Sequence, residues 1–175
     1  MRNIWFISDT HFNHANILTF KGADGNPVRP EFVDADHMNE IMIQHWNEVV
    51  QESDIVYHLG DVVMGNNKEE WLATHMPRLK GRKRLILGNH DDAKHFVGKG
   101  HFSKVTIWRM FNEFGILATH VPVHESTLGE HRFDGEMINV HGHIHQNKSP
   151  KGPYRCVCVE HTEYYPINLD ELRVK

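Results

Sequence analysis

Cysteine is scarce in this chain: Cys156 and Cys158 are the only two, and a single residue separates them. Thiol pairs that hold a metal ordinarily leave two or more residues between them, so these read as reduced packing thiols with no catalytic role. Long hydrophobic runs are missing too. No apolar stretch approaches the roughly 20 residues that cross a bilayer, and the opening run Ile4 to Ile7 is broken by Asp9, which argues against a secretory segment. A cytoplasmic protein with no membrane partner is expected. Net positive charge is absent as well: the formal charge of −4 argues against a dedicated nonspecific nucleic-acid binder. The balance is uneven, because residues 78 to 109 hold nine basic side chains against Asp91 and Asp92. That stretch reads as solvated loop charge around Lys80 to Arg84, or as a device steering an anionic substrate. The chain shows no repeat, low-complexity tract or linker. A single domain over 1–175 is expected, and 39% hydrophobic content suffices for its core.

What is present is a series of short apolar runs. Ile4 to Ile7, Ile55 to Leu59, Leu85 to Leu87, Ile116 to Ala118 and Met137 to Val140 have strand length and are too short for buried helices. Strands are predicted over 3–8, 55–59 and 84–87. Between the first two, Asp34 or Asp36 caps a helix reaching about Val50, with Met38, Met42, Trp46 and Val49 at core spacing. Asn66 or Asn67 caps a second helix that runs to Met76 and stops at Pro77. Beyond residue 100 strands dominate, over 105–111, 114–119, 137–141 and 155–161, before a helical turn near Leu169. The order βαβαβα followed by mostly β predicts an α/β protein in which mixed sheets are covered by helices.

Polar residues follow these runs in five blocks: Asp9 with His11, then Asp61, Asn89, His120, and His143 with His145. Strand ends from separate segments make a rigid rim, and oxygen and imidazole donors gathered there suit a two-metal site. Asp9 and His11, like His143 and His145, alternate along what reads as extended chain, so each pair shares a face. The sixteen histidines are dispersed; His37, His45, His75, His95, His101 and His131 have no partner motif and read as surface or packing residues. His58 and His141 lie beside ligand blocks and read as satisfied core histidines, with support of a ligand as the alternative.

Asp9-Thr10-His11, Gly60-Asp61, Gly88-Asn89-His90-Asp91, His120 and Gly142-His143-Ile144-His145 stand in this order across nearly the whole chain. The set resembles the blocks of the calcineurin-like metallophosphoesterase superfamily, and the opening Ser8 to Asn16 is similar to its small stand-alone bacterial and phage phosphoesterases. The resemblance implies a four-layer αββα sandwich with two mixed sheets. It implies that Asp9, His11 and His145 bind one ion, that Asn89, His120 and His143 bind another, and that Asp61 bridges them. Two divalent ions are implied, manganese as the first expectation and iron, zinc or nickel as alternatives, because mixed nitrogen and oxygen donors do not choose among them. His90 is the expected catalytic residue, protonating the departing oxygen as a metal-bridging hydroxide attacks phosphorus. Many relatives orient this histidine with an acidic residue three positions after the bridging aspartate. Met64 stands there in this chain, which leaves Asp91, Asp92 or no residue for the task.

Two divalent ions facing only two carboxylates leave surplus positive charge, which suits a phosphoryl group. The expected function is a metal-dependent phosphoric ester hydrolase acting on a phosphodiester or a small nucleotide phosphate, since a short chain without a visible cap leaves its cleft open. A nuclease acting on RNA or DNA and a non-catalytic interaction scaffold of the same fold are the alternatives. His14, Asn16, Arg29, His124 and Arg132 fall in loops expected to border the cleft and touch substrate.

Overall fold

A computed structural model describes residues 2–131 and 135–172 of the protein. Its strands are β1 (Ile4–Ile7), β2 (Ile55–His58), β3 (Arg82–Ile86), β4 (Val105–Thr106), β5 (Trp108–Phe111), β6 (Ile116–Thr119), β7 (Glu130–His131), β8 (Gly135–Glu136), β9 (Ile138–His141), β10 (Tyr154–Cys156) and β11 (Ile167–Asn168). The helices are α1 (Ala35–Val49), α2 (Lys68–His75) and the short α3 (Leu169–Leu172). One sheet has the order β11-β1-β2-β3-β4, parallel from β1 to β4 with β11 antiparallel at its edge. The other has the order β10-β9-β6-β5, with β5 antiparallel to β6. β7 and β8 pair as a separate ribbon.

Alternation along each strand divides the core in two. Ile7, Val56 and Leu85 point to one face of the first sheet and pack on Met38, Met42 and Trp46 of α1 and on Trp71 and Leu72 of α2. Phe6, Tyr57 and Ile86 point the other way and meet Phe111, Ile116, Ala118 and Val140 of the second sheet. Each such side chain, taken fully out of water, contributes about 1.5–3 kcal/mol. Asp34 caps α1 by accepting a hydrogen bond from the His37 N–H at 2.7 Å. Asn67 precedes α2 but its side chain does not cap it; its oxygen accepts from Asn13 Nδ2 at 2.8 Å.

Two predicted strands are reorganised. The 105–111 segment splits at Ile107, so that β4 pairs with β3 and β5 with β6. The chain there passes from one sheet to the other, as strands do at the corner of a sandwich. The 155–161 strand stops at Cys156; Cys158 bridges across to Ser8 beyond β1, and 159–161 coil into a 3-10 turn. Phe111, Ile116 and Ala118 of the second sheet face the inter-sheet core, so the alternate residues of β5 and β6 lie on its other, outer face. On that face the cross-strand neighbours Trp108 and Thr119, and Met110 and Leu117, lie side by side.

Candidate metal centre

The five blocks converge at one edge of the sandwich. β1, β2 and β3 run parallel and deliver Asp9, Asp61 and Asn89 just past their ends; β6 and β9 deliver His120, His143 and His145 from the second sheet. Two groups result, Asp9 with His11 and His145, and Asp61 with His120 and His143, the candidate ligand atoms of each lying within 4.8 Å of one another. Asp61 Oδ2 stands between them, 3.5 Å from His11 Nε2 and 3.5 Å from His120 Nε2. Asn89 Oδ1 joins the second group at 2.8 Å from His120 Nε2 and 2.9 Å from His143 Nδ1.

The backbone achieves this by a route that strand alternation does not describe. Asp9, His11, Asp61, His143 and His145 all have positive φ, between 45° and 72°, so neither Asp9–His11 nor His143–His145 is extended chain. Tight left-handed steps turn each pair toward the site, in a region that costs non-glycine residues energy and recurs at functional centres. Close approach of the loops also demands glycine. A Cβ on Gly88 would collide with Asp61, and one on Gly142 would collide with Ser8 and the Asp9 carboxylate.

Side chains around the site set the direction of each donor. Asp9 Oδ2 accepts from Ser8 Oγ at 2.6 Å, the His143 N–H at 2.8 Å and the Cys158 thiol at 3.3 Å. Burial pushes that thiol's pKa up, so Cys158 keeps the proton it donates; it is a partner of Asp9 as well as a packing residue. His120 Nδ1 donates to the Leu59 carbonyl at 2.7 Å, which turns Nε2 toward Asp61 and Asn89. His145 Nδ1 donates to Glu160 Oε1 at 3.0 Å, and Nε2 then faces Asp9 Oδ1 at 3.9 Å. Arg29 completes this support: its guanidinium donates to Glu160 Oε1 at 2.8 and 3.0 Å, to the Asp9 carbonyl at 2.6 Å and to the Thr10 carbonyl at 2.8 Å.

The titration of these groups follows their partners. Burial opposes ionisation of Asp61, but His120 outweighs it and holds the carboxyl below its usual range. His120 and His145 are raised despite burial, by Asp61 and by Glu160 respectively. Burial lowers His11 and His143. It lowers His58 to about 3, and this ring is satisfied as a neutral group: Nδ1 accepts from the Gly60 N–H and Nε2 donates to Thr10 Oγ1. His141 is likewise buried and bonded, to the Gly142 carbonyl and Ser149.

The donors fit divalent cations. Asp9 Oδ1 and His11 Nε2 are buried with no hydrogen-bond partner, and both face into the cluster; burying such atoms unpaired is costly unless something binds them. Two carboxylates, an amide oxygen and imidazole nitrogens suit transition-metal ions.

His90 is exposed, its N–H donating to Asp61 Oδ1 at 2.9 Å and its ring 5.7 Å from that of His11. Asp91 does not orient it. That carboxylate is half-buried and accepts from the N–H groups of Asp61, Val62 and Gly88, tying two ligand loops together, while Asp92 pairs with Lys94. Among the described residues no carboxylate takes the orienting role.

Two grooves open on either side of the cluster. One, of about 550 Å³, is lined by His11, His14, Phe20, Met64, His90 and His145 among others. The second, of about 670 Å³, begins at Asn89 and His120 and runs over the outer face of the second sheet. Of the expected substrate contacts, His14 lines the first groove, with its pKa lowered to about 4 by burial and by the His11 and Arg29 charges. Arg29 is corrected: it is fully buried and supports the loop beneath the site. Asn16 and His124 line neither groove; His124 caps a 3-10 turn at 125–127. Arg132 lies outside the described residues. Within the basic 78–109 stretch, Arg78 pairs with Glu40, Lys94 with Asp92 and Lys99 with Glu69. No helix among the described residues is long and apolar enough to cross a membrane.

Known proteins are similar to this chain over most of its length. An uncharacterized protein of Methanocaldococcus jannaschii is 36% identical over 177 residues, covering 97% of this chain and 89% of that one. The gene 66 protein of Mycobacterium phage L5 is 28% identical, covering 83% of this chain and 78% of its own length. A crystal structure of a protein of unknown function from Aquifex aeolicus superposes with a TM-score of 0.71 at 28% identity, over 98% of both chains. The family model for calcineurin-like phosphoesterases matches residues 2–171, and the chain belongs to that metal-dependent family.

Proposed function

We propose that the protein is a binuclear metal-dependent phosphodiesterase. Asp9, His11 and His145 would hold one ion, Asn89, His120 and His143 the other, and Asp61 both, with manganese the first choice. The observation that carries this reading is the position of Asp61 Oδ2, equidistant from a nitrogen of each group. When bound, the two cations supply Lewis acidity toward a phosphoryl oxygen and an activated water.

The protein's own residues do the rest. Arg29, Glu160 and the Leu59 carbonyl hold the donors in their directions, so little reorganisation accompanies catalysis. His90 lines the first groove beside His11, where its imidazole passes a proton to the departing oxygen. With the leaving group on that side, the second groove is open to a further ester arm, which favours diesters over monoesters. The pairing of Arg78, Lys94 and Lys99 with carboxylates lessens the support for a polynucleotide substrate. Unpartnered buried donors weigh against a purely scaffolding role.

The test is turnover of chromogenic mono- and diesters after manganese reconstitution, alongside elemental analysis. His90→Ala is expected to retain metal and lose roughly 10²–10⁴-fold in kcat. Reconstituted protein that turns over neither ester class refutes the proposal.

A further inference from the structure

We infer that the second groove seats the retained arm of the diester, and that this arm carries a flat, uncharged ring system lying against Trp108. The inference rests on the phosphodiesterase reading and names its substrate class. The groove is continuous with the ligand set, because Asn89 and His120 form its inner end. A phosphate held at the cluster therefore places one ester oxygen at its mouth. The wall beyond is apolar: Trp108, Met110, Leu117, Val121 and Val123 line it, and among the described residues no carboxylate or ammonium group does. A charged arm would be desolvated there without a partner.

Exposure points the same way. Ile107 is 70%, Trp108 53% and Val121 44% exposed, half of the six large hydrophobic side chains left in water among the described residues, and all three line this groove. Such convergence marks a binding surface more than scattered surface residues do. The fold places it on the outside: Trp108 with Thr119 and Met110 with Leu117 occupy the face of the second sheet turned away from the inter-sheet core. Trp108 offers an indole face, and the space, about 670 Å³, is of ordinary ligand-site size. His90 lines the opposite groove, which assigns the leaving group there and the retained group here.

Esters sharing one leaving group isolate the retained arm. Thymidine 5′-(4-nitrophenyl) phosphate and phenyl 4-nitrophenyl phosphate carry a ring on that arm; methyl 4-nitrophenyl phosphate does not. Trp108→Ala is expected to lower kcat/KM roughly tenfold or more for the ring-bearing esters, the scale of one base–aromatic stack, and to leave the methyl ester within about twofold. Ile107→Ser, at a still more exposed position, provides a second variant with the same expected direction. Binding is read separately, without turnover. Thymidine 5′-methylphosphonate should quench tryptophan fluorescence in the wild type and not in Trp108→Ala, because Trp5, Trp46 and Trp71 lie in or against the core. Equal effects on all three esters, or none, overturn the inference and leave the diesterase intact. Failure of the wild type on every ester refutes the diesterase, and absent quenching then overturns the ring site independently. A dimer that Trp108→Ala dissociates would assign the groove to a second copy of the chain and overturn the inference.

Discussion

Replacing Arg29 by methionine tests whether the centre is held from beneath. The guanidinium is fully buried, and it serves the carbonyls of Asp9 and Thr10 and the carboxylate of Glu160, itself 3% exposed. Methionine keeps much of the volume and removes every donor, so the loss is electrostatic and not chiefly a cavity. Breaking one member out of a buried pair costs about 3–5 kcal/mol, because the survivor is left charged and desolvated. Solvent screening does little at a site this enclosed. For a chain of this size each kcal/mol moves the melting temperature by about 2–4 °C, so a fall of roughly 6–20 °C is expected. Urea unfolding with chelator present reads the protein alone, free of metal linkage. Arg29→Met with Glu160→Leu removes both charges and should recover a substantial part of the loss. A single variant that loses less than about 1 kcal/mol, or a double variant that loses more than the single, refutes the argument.

Metal affinity should fall as pH drops below neutrality. His120 and His145 have raised pKa values without metal, bind only as neutral imidazoles and must release their protons, so calorimetry in buffers of different ionisation enthalpy should detect proton release. Metal-free stability should decline as pH falls from about 6.5 toward 3, because His58 stays neutral in the fold down to about 3 while the unfolded chain takes up the proton earlier. Urea midpoints that do not change over this range would contradict that account. Gly88→Ala should abolish stoichiometric metal uptake by displacing the Asp61 carboxylate, and uptake unchanged by elemental analysis would show that the loop can yield.

The donors were legible because metal chemistry restricts residue types: carboxylate, amide and imidazole after apolar runs leave few readings. Their backbone was not. Alternation assigns Asp9–His11 and His143–His145 to extended chain, yet the local sequence gives no sign of left-handed conformation in residues other than glycine. Arg29 looked like a loop residue free to meet substrate because its partner Glu160 lies 131 positions away, beyond any local pattern. The Cys158 contact with Asp9 spans 149 positions and is hidden for the same reason. Residues 105–111 read as one strand because a crossing between sheets at Ile107 leaves β propensity unchanged on either side.

Left-handed backbone at the ligands is strain the fold retains for the sake of side-chain direction, and His143 is the place to measure it. Its φ is 72° and its side chain is substantially exposed, so substitution there disturbs little packing. Alanine and glycine both remove the imidazole, and they differ in what the backbone costs them. An L-residue in this conformation pays about 1–2 kcal/mol that glycine does not. Glycine in turn pays about 0.5–1 kcal/mol for the freedom it gains when unfolded. The strain is the larger, so His143→Gly should be more stable than His143→Ala by roughly 0.5–1 kcal/mol in metal-free urea unfolding, the reverse of their order in a helix. If alanine equals or exceeds glycine, the turn is not strained, and the histidines reach the cluster without a conformational cost.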